Sequence, residues 1–503
     1  MNSSVRVRFA PSPTGPLHIG GVRTALFNYL FAKQHNGTFV LRIEDTDQTR
    51  YVPGAESYIG EALDWLQIPY DEGPGREGGF GPYRQSERKA IYHDYIAQLI
   101  ASGHAYYAFD STEDLSELRA QAESQGQTFT YGVANRNTLN NALTRNPAEV
   151  TTHLDAGRPY VVRFKIPENR TLVFNDLIRG DVTIQTSVLD DKILFKSDGM
   201  PTYHFANVVD DHLMAISHVI RGEEWLPSLA LHVLLYESFG WTAPKFAHLP
   251  LILKPSGKGK LSKRDGDAGG FPVFPLEWAA EGVVSSGYRE QGYAPAAVLN
   301  LLAFLGWNPG TEQEVFSKNE LITAFNLSRV LKSGAKFDPE KALWFQNHYF
   351  QNILDSELVP AYRTYTKSLG VDSGLLDTAR IIELVKPRAS FVRDLWTQSA
   401  FFFEAPTAFD PQGVKKAVKT NTCVLLSGLG DFLGGVADFT QDALSERTKT
   451  WALDNDFGLG AVMMPLRLAL VGSMQGPDVF AIMEVLGQKE TRQRIAYAIT
   501  SFG

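Results

Sequence analysis

The sequence predicts a multidomain protein, α/β over its first part and all-α in its last, and three observations carry that expectation. The chain has 503 residues, more than one hydrophobic core usually serves. It opens with a strand, a helix and a second strand in close succession. Beyond about Phe337 its apolar residues recur at helical spacing, as in Leu354, Leu358, Val359, Tyr362 and Tyr365, and in Ile381, Ile382, Leu384 and Val385.

In order along the chain, Val5, Val7 and Phe9 alternate with Arg6 and Arg8 at a strand's period of two. Val22, Ala25, Leu26, Tyr29 and Leu30 then follow helical spacing, Asn36-Gly37 stops that helix, and residues 39–43 read as the next strand. Such a unit pairs its strands in parallel, and its first turn is where nucleotides dock. That turn reads Pro11-Ser12-Pro13-Thr14-Gly15-Pro16-Leu17-His18-Ile19-Gly20-Gly21. Backbone N–H groups at a helix start hold anions and glycine lets a ligand approach closely, so a phosphate suits the place. Taken alone, the same residues equally describe a tight connection with a capping histidine.

The first half of the α/β part is expected to end near Pro82, after the glycine-rich residues 72–81. Residues 83–199 read as an insertion, with a polar segment around 121–141 and a strand-like stretch at 160–166. Residues 217–221 return as a strand, and a helix runs through Leu226, Leu229, Leu231, Val233 and Leu234. Next comes Lys254-Pro255-Ser256-Gly257-Lys258-Gly259-Lys260-Leu261-Ser262-Lys263-Arg264, a glycine-spaced basic loop whose lysines suit a polyphosphate. By itself it is also an ordinary solvated charged loop. The expected domains are 1–82 with 200–252, 83–199, 253–345 and 346–503, a division of the last near 396 being left open. There is no internal repeat or low-complexity tract.

Together the turn at His18 and the loop at Lys260–Arg264 resemble the paired signature of class I aminoacyl-tRNA synthetases, and the wording around them resembles the glutamyl branch of bacterial type. The resemblance continues through residues 41–47, 198–212, 220–225 and 302–307, and reaches Lys336-Phe337-Asp338 and Pro465-Leu466-Arg467, nearly the whole chain in one order. Gly21 stands where many relatives have a second histidine, and Leu261 and Arg264 where the general pattern has Met and Ser, variations common in this branch. The implied fold is a class I Rossmann-type nucleotide-binding domain split by an insertion that binds the tRNA acceptor end, then a stem-contact domain and helical anticodon-binding domains. The implied activity is ATP-dependent attachment of L-glutamate to tRNA(Glu) through a glutamyl-adenylate, with initial attack by the 2′-hydroxyl and a need for tRNA even during activation.

The resemblance also assigns site residues. His18 contacts the phosphate chain, Gly20 and Gly21 admit the adenosine, and Lys263, with Lys260 and Arg264, stabilises pyrophosphate; His18 and Lys263 are the catalytic pair. Glutamate offers an ammonium and two carboxylates, so its pocket needs a carboxylate and at least one guanidinium. The matching positions are Glu44 for the ammonium and Arg8 and Arg221 for the carboxylates, with Ser12, Tyr203 and Asn207 adding hydrogen bonds. A charged Arg221 facing the side-chain carboxylate prefers glutamate to glutamine, because a buried guanidinium left without its anion is costly. Trp225 and residues 210–212 lie near the pocket by motif, though Trp225 equally suits core packing. Arg467 is assigned to tRNA contact, with helix capping or an ion pair as the rival role.

Composition fits this reading. Hydrophobic residues at 44% and charged residues at 21% mark an ordinary globular protein. One cysteine, Cys423, excludes an intramolecular disulfide and suits a reducing compartment. Some relatives carry a Cys/His zinc site in the insertion; the corresponding stretch here, His104-Ala105-Tyr106-Tyr107-Ala108-Phe109, offers no thiolate, so no zinc is expected and the only metal is Mg²⁺ travelling with ATP. No apolar run reaches membrane-spanning length and no presequence is evident, so the cytoplasm is expected; the resemblance implies a monomer, and no coiled-coil heptad suggests otherwise. The net charge of −8 requires that cations for RNA be local. Candidates are residues 254–264, the cluster Lys386, Arg388 and Arg393, and the cluster Lys415, Lys416 and Lys419. Three alternatives accompany the main reading: an enzyme that also charges tRNA(Gln), a paralogue that glutamylates a nucleoside, which the long C-terminal part disfavours, and a non-catalytic tRNA-binding regulator.

Overall fold

The computed structural model describes residues 4–280 and 282–502. The chain divides into two compact units: one formed up to Gln291 together with Pro295–Ala342, the other by Gly292–Ala294 and the chain from Leu343 onward.

In the first unit, β1 (Arg6–Phe9), α1 (Ile19–Gln34) and β2 (Thr38–Leu41) form the expected parallel unit, β1 and β2 pairing in register from Arg6 with Thr38 to Phe9 with Leu41. Helix α1 ends where Asn36 turns to a φ of 50°, and the amide of Gly37 bonds back to Ala32 O. Although charged and apolar residues alternate along β1, all four of its residues are buried. A parallel sheet is covered on both sides, so its polar positions must be paired inside the protein. Arg6 meets Glu72 through two bonds of 2.7 and 2.9 Å, and Arg8 meets Asp211. The apolar face of α1 that spacing selected, Val22, Ala25, Leu26, Tyr29 and Leu30, is buried.

After α2 (Ala55–Trp65) the chain builds α3 (Lys89–Ala101), β3 (Ala105–Ala108), α4 (Thr112–Ser124), α5 (Pro147–Asp155), β4 (Val161–Phe164), β5 (Thr171–Asp176), β6 (Gly180–Gln185) and β7 (Ile193–Phe195). Strands β3, β4 and β7 make one antiparallel sheet. Just after β3, Asp110 accepts bonds of 2.9 Å from the Tyr131 hydroxyl and from the Asn140 amide, and the buried Asp191 accepts from the Tyr106 hydroxyl at 2.7 Å.

Helix α6 (Tyr203–Leu213), β8 (His218–Gly222), α7 (Leu229–Ser238) and β9 (Lys245–Leu249) complete the sheet. Strand β8 runs parallel to β9, and the Ser217 amide reaches Arg6 O at 2.9 Å, setting β8 beside β1. The helix expected from Leu226 begins at Leu229; residues 223–228 form a 3₁₀ stretch containing Pro227, which has no N–H to give an α-helical ladder. The hairpin of β5 and β6 joins the same sheet, Asp176 pairing with Phe246. Asp176 thereby comes to lie beside the end of β9. Past β9 the basic loop ends in a short helix, α8 (Lys263–Gly269), capped by Ser262 and Asp265.

The second unit is helical, including Asp355–Ser368, Thr378–Val385, Val392–Phe403, Thr422–Gly434, Leu459–Val471 and Val479–Phe502, the last bent at Gly487, whose φ is 75°. Its core includes Leu358, Tyr362, Ile381, Ile382, Leu426 and Leu466. Leu354 is 64% exposed because it precedes its helix as the N-terminal cap. Lys386, expected within a cluster of cations for RNA, is buried, with its ammonium 2.8 Å from Asp355. Lys415, Lys416 and Lys419 are exposed.

Candidate active site

A cleft of about 990 Å³ opens at the carboxyl ends of β1 and β8, where the sheet and the first turn meet. This is where ligands sit in open α/β sheets. Arg8, Ser12, His18, Gly20 and Gly21 line it from the β1–α1 side; Glu44, Tyr203, Asn207 and Arg221 line it from the other strands and α6; Lys260 and Lys263 line it from the loop. Arg264 is exposed and is not among the lining residues. Arg467 belongs to the helical unit, half-buried, and donates at 2.8 Å to Pro477 O, in the connection between its own helix and the next.

His18 caps α1, its Nδ1 accepting the amide of Gly20 at 3.1 Å. Burial, and secondly the Lys260 ammonium, push its pKa down to about 4, so the ring is neutral at physiological pH. With Nδ1 occupied as an acceptor, the remaining proton must sit on Nε2. Nε2 is buried without a hydrogen-bond partner. A buried donor beside a helix N-terminus, in a cleft, is suited to an anionic oxygen. Gly20 and Gly21 keep the backbone open here; a Cβ at Gly21 would stand 2.6 Å from Leu17 Cδ1.

The loop supplies positive charge. Lys260 lies 3.2 Å from Glu224, and Lys254 is tied to Asp265 at 2.9 Å across the base of the loop. Asp265 also accepts from the Ser262 amide at 2.9 Å, which fixes the start of α8 and the direction of Lys263 relative to it.

Deeper in the cleft the charges interlock. Asp211 receives Arg8 Nε at 3.0 Å and Arg42 at 2.8 Å. Burial would raise its pKa, but Arg8 and Arg42 outweigh burial and hold it below the usual carboxylate range. Glu44 accepts from Arg42 and from the Asn207 amide, each at 2.9 Å; burial is the larger influence on it and raises its pKa against the pull of Arg42 and Arg8.

Arg221 differs from these arginines. It is 4% exposed, and its bonded partners are all neutral: His248 Nε2 at 3.0 Å, the Tyr203 hydroxyl at 3.1 Å, His232 Nδ1 at 3.4 Å and Trp225 O at 3.3 Å. Among the described residues no carboxylate lies within ion-pair distance of it. The rings of Tyr203 and Trp225 are 4.2 Å apart, and Trp225 is 38% exposed at the cleft wall, which makes it a lining residue rather than core.

Arg42, the centre of the charge network, was not among the residues expected at the site, although it stands two positions before Glu44 just past the end of β2. Asp176, His232 and His248 carried no sequence signal; they meet Arg221 through tertiary pairing alone.

Comparison with known proteins fits this geometry. Residues 4–344 match the family described as tRNA synthetases class I (E and Q), catalytic domain, and residues 357–499 match an anticodon binding domain. The chain belongs to this family of class I tRNA synthetases, and its α/β and all-α parts are that fold with its anticodon-binding domain. It is similar to a glutamate–tRNA ligase of Christiangramia forsetii, at 58% identity over 99% of each chain, and to one of Flavobacterium johnsoniae, at 57% identity over 100% of each. Among solved structures, a glutamate tRNA ligase from Elizabethkingia meningosepticum in complex with its amino acid superposes with a TM-score of 0.97 at 51% identity, covering 100% of both chains.

Proposed function

We propose that this chain is a glutamate–tRNA ligase that joins L-glutamate to the 3′ end of tRNA(Glu), releasing AMP and diphosphate. The observation that carries the choice of amino acid is Arg221, a buried cation at the cleft wall with only neutral partners. Such a charge is costly unless an anion arrives, and the side-chain carboxylate of glutamate is that anion whereas the amide of glutamine is not. Glu44, beside Asn207, receives the α-ammonium, and Arg8, steadied by Asp211, faces the α-carboxylate; Ser12 and Tyr203 add hydrogen bonds.

In the first step an oxygen of the α-carboxylate attacks the α-phosphorus of ATP. The new O–P bond forms as the bond to the bridging oxygen breaks, and diphosphate leaves with that electron pair. His18 donates through Nε2–H to the phosphate chain, Gly20 and Gly21 admit the nucleotide, and Lys263 and Lys260 offset charge on the departing diphosphate. Mg²⁺ enters with ATP as part of the substrate. In the second step a ribose hydroxyl of the terminal adenosine attacks the glutamyl carbonyl and AMP departs. No protein nucleophile is used; alignment and electrostatics suffice. The insertion at 83–199 receives the acceptor end, the region 253–345 meets the stem, and the helical unit, with Arg467 among its candidates, reads the anticodon. We assign the enzyme to the cytoplasm as a monomer; among the described residues no helix is long and apolar enough to cross a membrane.

No observation favours the regulatory alternative or charging of tRNA(Gln). The test is ATP–pyrophosphate exchange with tRNA(Glu) present. Exchange that depends on glutamate and is poor with glutamine supports the reading, and equal exchange with both amino acids overturns it.

A further inference from the structure

His248 sits at the inner end of β9 and is fully buried. Its Nδ1 lies 2.6 Å from Asp176 Oδ2, and its Nε2 accepts from Arg221 Nε at 3.0 Å. The carboxylate can only accept, so Nδ1 carries the proton and Nε2 presents its lone pair to the guanidinium. Asp176 is itself oriented by its other oxygen, Oδ1, which takes the amides of Ile178 at 2.9 Å, Arg179 at 2.8 Å and His248 at 3.3 Å. A line of bonds therefore runs from a backbone turn through a carboxylate and an imidazole to Arg221.

We infer that Asp176 and His248 are positioning residues for amino acid selection: they fix Arg221 through a neutral acceptor, so that the guanidinium is held in place while its charge stays available to the substrate's side-chain carboxylate. This rests on the reading of Arg221 given above. A carboxylate in direct contact with Arg221 would hold it as firmly but would offset its charge. The imidazole separates the two roles. The other neighbours follow the same rule. His232 faces Arg221 through Nδ1 and passes its Nε2 to His204 Nδ1 at 3.2 Å. Burial, the largest influence on each, lowers the pKa of His232, His204 and His248, so all three remain neutral acceptors or donors around the cation. Four of the five guanidinium N–H groups are thus taken by uncharged partners, leaving one N–H and the whole charge toward the cleft.

The discriminating variant is Asp176→Asn. Its carbonyl oxygen can keep the three backbone amides, while its NH₂ replaces the oxygen facing His248. Nδ1 must then accept, the proton moves to Nε2, and two donors confront each other at Arg221. The expected result is a KM for glutamate raised about tenfold or more, with kcat and the KM for ATP within roughly twofold, and a weakened preference for glutamate over glutamine. His248→Gln, whose amide oxygen can reach the position of Nε2, should retain most of the affinity, and His248→Leu should lose it. In the His248→Gln background, Asp176→Asn should add nothing, because its effect passes through the imidazole tautomer. An unchanged KM for glutamate in Asp176→Asn, or equal loss in the Gln and Leu variants, overturns the inference. Arg221→Ala separates the two levels. If it raises the KM for glutamate while Asp176→Asn does not, the positioning role is wrong and the reading of Arg221 stands; if Arg221→Ala itself leaves that KM unchanged, both fall.

Discussion

Arg8 and Asp211 are joined by two side-by-side bonds, Nε to Oδ1 at 3.0 Å and a terminal nitrogen to Oδ2 at 3.2 Å, with both side chains almost wholly buried. The same Oδ1 also receives Arg42 at 2.8 Å. One carboxylate therefore compensates two buried guanidinium groups, and it links β1 to α6.

Asp211→Asn removes that compensation while keeping the shape of the side chain. Breaking a buried ion pair by neutralising one member typically costs about 3–5 kcal/mol. Urea unfolding at neutral pH should show a loss of that order, larger than for Lys33→Ala, which removes an ion pair with Asp71 near the surface.

Arg221→Ala should raise the KM for glutamate by well over about tenfold with little change in the KM for ATP, since the lost cation meets only the amino acid side chain. Steady-state exchange at varied glutamate and varied ATP measures both.

His18→Ala removes the donor at Nε2 and leaves the Gly20 amide without its acceptor. Loss of one donor to developing charge lowers kcat by about 10²–10³ in comparable sites. Lys263→Ala should act at the same step, and rapid-quench measurement of adenylate formation should show both defects there, with amino acid affinity preserved.

His18 and His204 each have a folded pKa lowered from 6.5 to about 4, with burial the main cause. Below pH 6.5 the unfolded chain takes up protons that the folded one refuses, so stability falls as pH drops from 6.5 toward 4, by up to about 1.4 kcal/mol per pH unit for each histidine. Unfolding midpoints across that window should follow this trend, and His204→Gln should lessen its slope.

The strand, helix, strand opening was legible because alternation and helical spacing are local properties, as was the helical character of Ile381 and Ile382. The buried state of Arg6 and Arg8 was not, since whether a strand has one wet face or none depends on what covers the sheet. The turn at His18 and the residues Glu44, Tyr203 and Arg221 were reached through motif context. Asp176 and His248 were beyond sequence reasoning because they are far apart in the chain and meet only when β5 pairs with β9. Lys386 was grouped with cations for RNA because the sequence does not show that Asp355 folds against it.

The activity assigned to this chain passes a glutamyl group from ATP-activated glutamate to tRNA(Glu). The most direct measurement is transfer of labelled glutamate, with ATP and Mg²⁺, onto purified tRNA(Glu) and tRNA(Gln) side by side. Charging of tRNA(Glu) alone is the expected result; charging of neither would refute the assigned activity, and charging of both would refute its restriction to tRNA(Glu).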